Sequence, residues 1–273
     1  MLGPGSTLAE PVVPGPEPGS GARRRIVAVG QKTYLGYAQT LTWLDVAAEA
    51  GRRHGGDIDL VVFPVAPALP AAVAVGSTSQ LAVGAQDVSD RPPGAFTGEL
   101  PAALLAELGV RYVEIGHAER RFLFGETADL ITRKVDISVE HGLVPLICVG
   151  EGRLGDTTPL EPEVAVDEAG AQLAQVLDRL PATSPFVVAY EPVWAIGADE
   201  PAPVDHVRAV AAGLRGMLDG FSSARLIYGG TAGPGLFAEL STAVDGLFLG
   251  RRAHDPAAFA SVLAEVALAD ASG

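Results

Sequence analysis

AYEPVWAIG, residues 189–197, reads as a carboxylate and its covering loop written as one unit. The apolar run from Phe186 to Ala189 predicts a strand that delivers Glu191 at its carboxyl end. Pro192 has no N–H to continue a ladder, so the carboxylate is presented on a loop. Trp194 supplies a large apolar anchor, and Ile196-Gly197 form a tip whose glycine lets a backbone N–H approach a ligand closely. Such a unit suits a lid that closes over a small anion.

Working outward, the composition fits an enzyme with a full core. With 273 residues, 48% hydrophobic and only 19% charged, the chain can fill one domain of barrel size. Its single cysteine excludes an internal disulfide framework and predicts a reducing, cytoplasmic setting. The 19 basic and 33 acidic residues leave a formal net charge of −14, the wrong sign for a nucleic-acid binder or an anionic membrane surface. An anionic substrate therefore needs a local positive site. The first 22 residues, MLGPGSTLAEPVVPGPEPGSGA, are dense in Gly, Pro and Ser. They predict a disordered leader ahead of one domain over residues 23–273.

Five further motifs occur along the chain: GAFTGE at 94–99, EIGHAERR at 114–121, LICVGE at 146–151, YGG at 228–230 and DGLFLG at 245–250. Together with AYEPVWAIG, and in this order, they resemble the triosephosphate isomerase family over nearly the whole chain beyond the leader. None of them alone, YGG least of all, would carry the resemblance. It implies a cofactor-free, metal-free isomerase on a single (β/α)8 barrel, the TIM barrel.

The periodicity agrees with that fold. Short β-branched apolar runs at 26–29, 59–63, 81–85, 112–115, 144–149, 186–189, 225–228 and 246–249 predict strands. Ala/Leu-rich segments near 40–53, 67–75, 101–108, 128–141, 162–180, 204–218, 235–240 and 256–267 predict helices, several opened by proline or by a cap such as Thr40. Eight βα units point to a closed parallel barrel with its site at the carboxyl ends of the strands.

The chemically capable residues fall at that end. Lys32 follows the first strand, His117 the fourth, Glu191 the sixth, Gly230-Thr231 the seventh and Gly250-Arg251 the eighth. Proton transfer beside a carbonyl needs a base, a polariser and a stabiliser of the enediolate charge. The resemblance assigns these catalytic roles to Glu191, His117 and Lys32, and a phosphate cradle to Gly197, Gly230, Thr231, Gly250 and Arg251. Taken singly, a lysine after a strand is an ordinary solvated end and a histidine there an ordinary structural imidazole; the surrounding motifs lift them above that. Cys148, within an apolar strand, reads as a small core residue. GGTAGPG lacks the glycine order of a dinucleotide fingerprint, and no HExxH or paired CxxC suggests a metal.

Departures from the family pattern bear on the substrate. Gly30 stands where an asparagine normally precedes the catalytic lysine by two residues, predicting a roomier pocket with fewer hydrogen bonds. Ala118 replaces a serine whose hydroxyl could hold the resting base. Ala198-Asp199-Glu200-Pro201 replace the usual hinge, and Arg251 replaces a second glycine, adding a guanidinium able to grip phosphate or a substrate hydroxyl. The segment LGYAQTLTW at 35–43 and the pair Gly250-Arg251 are similar to the erythrulose phosphate isomerase branch. Dihydroxyacetone phosphate and glyceraldehyde 3-phosphate on one side, and the L-erythrulose 1-phosphate and D-erythrulose 4-phosphate pair on the other, both fit. Another sugar-phosphate reaction on the same barrel and a non-catalytic binder of a phosphorylated metabolite are the alternatives. The resemblance also implies a homodimer, with the loop around Thr97 reaching into its neighbour, and a small sugar phosphate as the other partner.

Overall fold

A computed structural model of the chain describes residues 24–270 apart from 55 and 57. The leader expected over residues 1–22 lies outside the described residues. The strands are β1 (Ile26–Gly30), β2 (Asp59–Phe63), β3 (Leu81–Ala85), β4 (Tyr112–Ile115), β5 (Val144–Val149), β6 (Phe186–Tyr190), β7 (Ala224–Gly229) and β8 (Gly246–Leu249). They close in sequence order into a parallel barrel. Helices α1 (Tyr37–His54), α2 (Leu69–Gly76), α3 (Ala102–Leu108), α4 (Ala118–Leu123), α5 (Ala128–Glu140), α6 (Pro162–Leu177), α7 (Val204–Met217), α8 (Leu236–Leu240) and α9 (Pro256–Asp270) occupy the connections. The single (β/α)8 barrel expected from the sequence is the architecture found.

Strand alternation divides the core in two. Ile26, Ala28, Val61, Phe63, Leu146, Cys148, Ala189, Ile227 and Phe248 pack inside the barrel. Val27, Val29, Val62, Ile147, Val188 and Leu247 face outward against helical residues such as Leu44, Leu173, Leu214 and Phe259. Parallel strands covered on both faces carry apolar side chains on both, which is why they read as unbroken apolar runs. Each fully buried Phe or Leu contributes about 1.5–3 kcal/mol. Closure between β1 and β8 needs Gly246, since a Cβ there would fall 1.7 Å from the carbonyl oxygen of Ile26.

One helix expectation is corrected and one helix is added. Thr40 does not cap α1; it is buried inside the first turn, its own N–H bonded to the carbonyl of Gly36 at 2.9 Å. The helix starts at Tyr37, and Gln39 reaches back to accept from the Gly36 N–H at 2.9 Å, one half of a capping box. Helix α4 was not expected, because its 6 residues are too few to show a helical period.

Candidate active site at the carboxyl rim of the barrel

Lys32 stands in the left-handed region at φ 49° just past β1, a strained conformation for a residue with a Cβ. Gln86 helps to hold it there, donating to the carbonyl of Lys32 at 2.9 Å and to that of Phe63 at 3.0 Å. The ammonium meets Glu119 Oε1 at 2.7 Å. Burial works to lower its pKa, but the Glu119 hydrogen bond and the charges of Glu119, Glu191 and Glu114 outweigh burial and hold it above the ordinary lysine value. The site thus keeps a fixed positive charge in an acidic protein.

His117 ends the β4 turn and caps α4. Its Nδ1 accepts from the backbone N–H of Glu119 at 3.1 Å, so the neutral ring carries its proton on Nε2. That nitrogen faces Glu191, with 3.6 Å between Nε2 and Oε2. The separation is too long for a direct hydrogen bond.

Glu191 is only 7% exposed and sits in a slot bounded by two glycines. A Cβ on Gly150 would fall 1.8 Å from the backbone oxygen of Glu191, and one on Gly229 would fall 2.7 Å from its Cγ and Oε1. Among the described residues Oε2 has no hydrogen-bond partner, and Ala118 has no hydroxyl to offer. A small cavity behind the carboxylate is lined by Gly116, Ala118, Arg121, Cys148 and Val193. The Cys148 thiol beside it is pushed well up by burial and then by Glu191, which keeps it neutral and fits the core role read from the sequence.

The lid leaves β6 through a short 3-10 turn, Val193–Ala195. Glu151, at the end of β5, anchors it by accepting from the Trp194 indole at 2.7 Å and from Tyr190 at 3.2 Å, with His206 Nε2 at 3.2 Å. On the far side, Thr231 at φ 56° donates its hydroxyl to the carbonyl of Ala195 at 2.9 Å. The Tyr228 hydroxyl accepts from the N–H of Ala202 at 3.0 Å and donates to the carbonyl of Gly230 at 2.7 Å. Arg251 reaches the carbonyl of Gly197 at 3.4 Å and lies over the Tyr34 ring at 5.5 Å, while Arg252 donates to the carbonyl of Asp199.

The residues named from the sequence are therefore gathered in two groups. Lys32, His117 and Glu191 share one electrostatic neighbourhood, and Gly197, Gly230, Thr231, Gly250 and Arg251 surround the lid where β7 and β8 end. One expectation fails in its detail. The space beside Gly30 is not open, because a Cβ there would lie 3.2 Å from Cε2 and Cζ of Phe248, whose ring packs edge-on to Phe63. Glu114, Glu119, Glu151 and Arg252 escaped the sequence reading as site residues. Glu114, Glu119 and Glu151 lay inside quoted motifs, but only their neighbours across the fold mark them. Among the described residues, no cluster of three or more His, Cys, Asp or Glu side chains could hold a metal, and no helix is long and apolar enough to cross a membrane.

Comparison with known proteins agrees with this geometry. The family profile described as triosephosphate isomerase matches residues 25–266. The chain is 44% identical to L-erythrulose-1-phosphate isomerase of Pectobacterium atrosepticum, over 89% of this chain and 96% of that protein. It is 38% identical to triosephosphate isomerase of Symbiobacterium thermophilum, over 78% and 86% of the two chains. It is 32% identical to a probable triosephosphate isomerase 2 of Listeria monocytogenes, over 89% and 98%. The chain, with a closed eight-stranded barrel and a glutamate, a histidine and a lysine converging on its rim, belongs to the triosephosphate isomerase family.

Proposed function

We propose that this protein interconverts L-erythrulose 1-phosphate and D-erythrulose 4-phosphate, with Glu191 as base, His117 as electrophile and Lys32 as the stabilising charge. Isomerisation of short-chain sugar phosphates is the activity of its family. The observation that carries the mechanism is the approach of Glu191 to the protonated Nε2 of His117, 3.6 Å apart, which leaves the two flanking a common point. The four-carbon substrate is supported by 44% identity to the erythrulose-1-phosphate isomerase against 38% to a triosephosphate isomerase, the former over more of both chains.

In this reading Glu191 takes the proton from C3 of L-erythrulose 1-phosphate, and the electron pair forms the C2–C3 double bond. The displaced carbonyl pair becomes an oxyanion on O2, stabilised by the Lys32 ammonium and the Nε2–H of His117. Through His117 the proton on O3 passes to O2. Glu191 then returns its proton to C2, leaving the carbonyl at C3, which is D-erythrulose 4-phosphate numbered from the other end. Gly197, Gly230, Thr231, Gly250 and Arg251 would hold the phosphate, and lid closure would exclude water.

Solvent deuterium incorporation into L-erythrulose 1-phosphate and dihydroxyacetone phosphate, followed side by side, tests the proposal. Faster exchange into the tetrulose is expected. Preference for the triose would make this a triosephosphate isomerase, and exchange into neither by a folded protein would leave a phosphometabolite binder.

A homodimer is part of the same proposal. Residues 91–99 are exposed without a break, and Phe96 at 43% exposure gives the loop around Thr97 an apolar tip suited to a neighbour's surface. Light scattering at micromolar concentration should give twice the chain mass; a monomer mass would remove the dimer. The single buried cysteine supports a cytoplasmic setting, checked by fractionating producing cells.

A further inference from the structure

Strand β4 carries a carboxyl group that the proposed chemistry does not use. Val113 and Ile115 face the helix layer and Tyr112 faces the barrel interior, so alternation turns Glu114 inward as well. It is 93% buried by the complement of its 7% exposure, and among the described residues no hydrogen bond or ion pair reaches its carboxyl. Its electrostatic neighbours are Glu191, Lys32, Glu119 and Asp87, which places it at the catalytic end of the barrel. Burial first, then Glu191, pushes the carboxyl well above the usual range, against the pull of Lys32, which favours the neutral acid, a form with one O–H donor and one carbonyl acceptor.

Its position on the barrel says what could use those groups. In the closed order β1 to β8, β4 lies across from β8, so Glu114 is on the wall opposite Gly250 and Arg251. A sugar phosphate held by its phosphate at the β7 and β8 loops, with its reacting carbons between Glu191 and His117, extends its other end toward β4. In a tetrulose phosphate that end is a hydroxymethyl group; in a triose phosphate it is hydrogen.

We propose that Glu114 is a specificity-determining residue that exchanges hydrogen bonds with the terminal hydroxyl of a four-carbon substrate. The inference rests on the erythrulose phosphate reading above. A hydroxyl from the substrate satisfies both the donor and the acceptor that no described residue engages, and a site built this way discriminates strongly against a molecule lacking the hydroxyl.

The test compares kcat/KM for L-erythrulose 1-phosphate and for dihydroxyacetone phosphate in the wild type, Glu114→Leu and Glu114→Ala, with circular dichroism checking the fold. Both variants should lose about 100-fold on the tetrulose and stay within about threefold on the triose. Glu114→Gln, which keeps a donor and an acceptor, should recover most of the tetrulose activity. Equal losses on both substrates would instead assign Glu114 to tuning Glu191, and no loss on either would remove it from the site; each overturns the inference. Wild-type turnover of the tetrulose tests the underlying reading by itself: its absence sinks both, whereas its presence with an unchanged substrate ratio in the variants sinks only the role of Glu114. If Glu114→Leu fails to fold, the Glu114→Ala ratio decides.

Discussion

Gly229 and Glu191 touch so closely that a methyl group on the glycine would lie 2.7 Å from both Cγ and Oε1 of the glutamate. The glycine sets where the carboxylate can rest, although it contributes no polar side chain. Its φ is not in the left-handed region, so an alanine meets a steric conflict and little backbone strain.

Gly229→Ala should therefore push the carboxylate off its position by a fraction of an ångström to about 1 Å and lower kcat by about 100-fold, with KM changed only a few-fold. Glu191→Asp, which withdraws the base by about 1 Å, should slow turnover at least as much without unfolding the protein. Steady-state kinetics and thermal melts of both variants check this. A Gly229→Ala enzyme with unchanged kcat would show that Glu191 has freedom to spare.

Lys32 combines a charge with a strained backbone. Lys32→Ala should raise KM and lower kcat together, because the positive charge that faces the substrate anion and the enediolate is gone. Lys32→Gly should be equally slow but more stable than Lys32→Ala by about 1 kcal/mol, since glycine relieves the conformation at φ 49°. Urea titrations of the two variants measure the difference; equal midpoints would mean that the turn relaxes.

Glu151 joins the lid to the barrel. Replacing it with leucine leaves the Trp194 indole N–H, the Tyr190 hydroxyl and His206 without their shared acceptor in a buried setting. A loss of about 3 kcal/mol is expected, together with a raised KM from a looser lid. Glu151→Gln keeps one oxygen and should recover part of both. Stability unaffected by the leucine would show that the neighbours find other partners.

Glu114 makes stability depend on pH in a defined direction. Its folded pKa is raised well above the ordinary 4.5, so between 4.5 and the folded value the unfolded chain has released a proton that the folded chain retains. The unfolded state binds fewer protons there, and the contribution of this group to stability, fully present below 4.5, falls as pH rises. Glu114→Gln removes that dependence. The variant should gain on the wild type steadily as pH is raised from 4.5 toward neutrality, by urea midpoints at matched ionic strength. A difference that is flat with pH would mean that Glu114 titrates alike in both states.

Much of the architecture was legible because parallel strands covered on both faces leave unbroken apolar runs, and because the site residues of a barrel follow those runs directly. Glu191 after Phe186–Tyr190 and His117 after Tyr112–Ile115 are cases in point. Helix α4 was invisible, since six residues give no period, and Thr40 misled because a threonine at a helix start and one inside the first turn read alike.

By itself the sequence determined the strand periods, the proline that ends β6, and which residues stand at strand ends, all of them properties of neighbours along the chain. Only the tertiary structure decided that Phe248 takes the space beside Gly30, that Glu119 meets Lys32 across 87 positions, and that Glu114 turns inward with no hydrogen bond or ion pair among the described residues. Periodicity fixes the face of a strand on which a side chain lies, but closure of the barrel fixes what stands opposite it, and the charge, room and hydrogen bonding of this site come from that opposition.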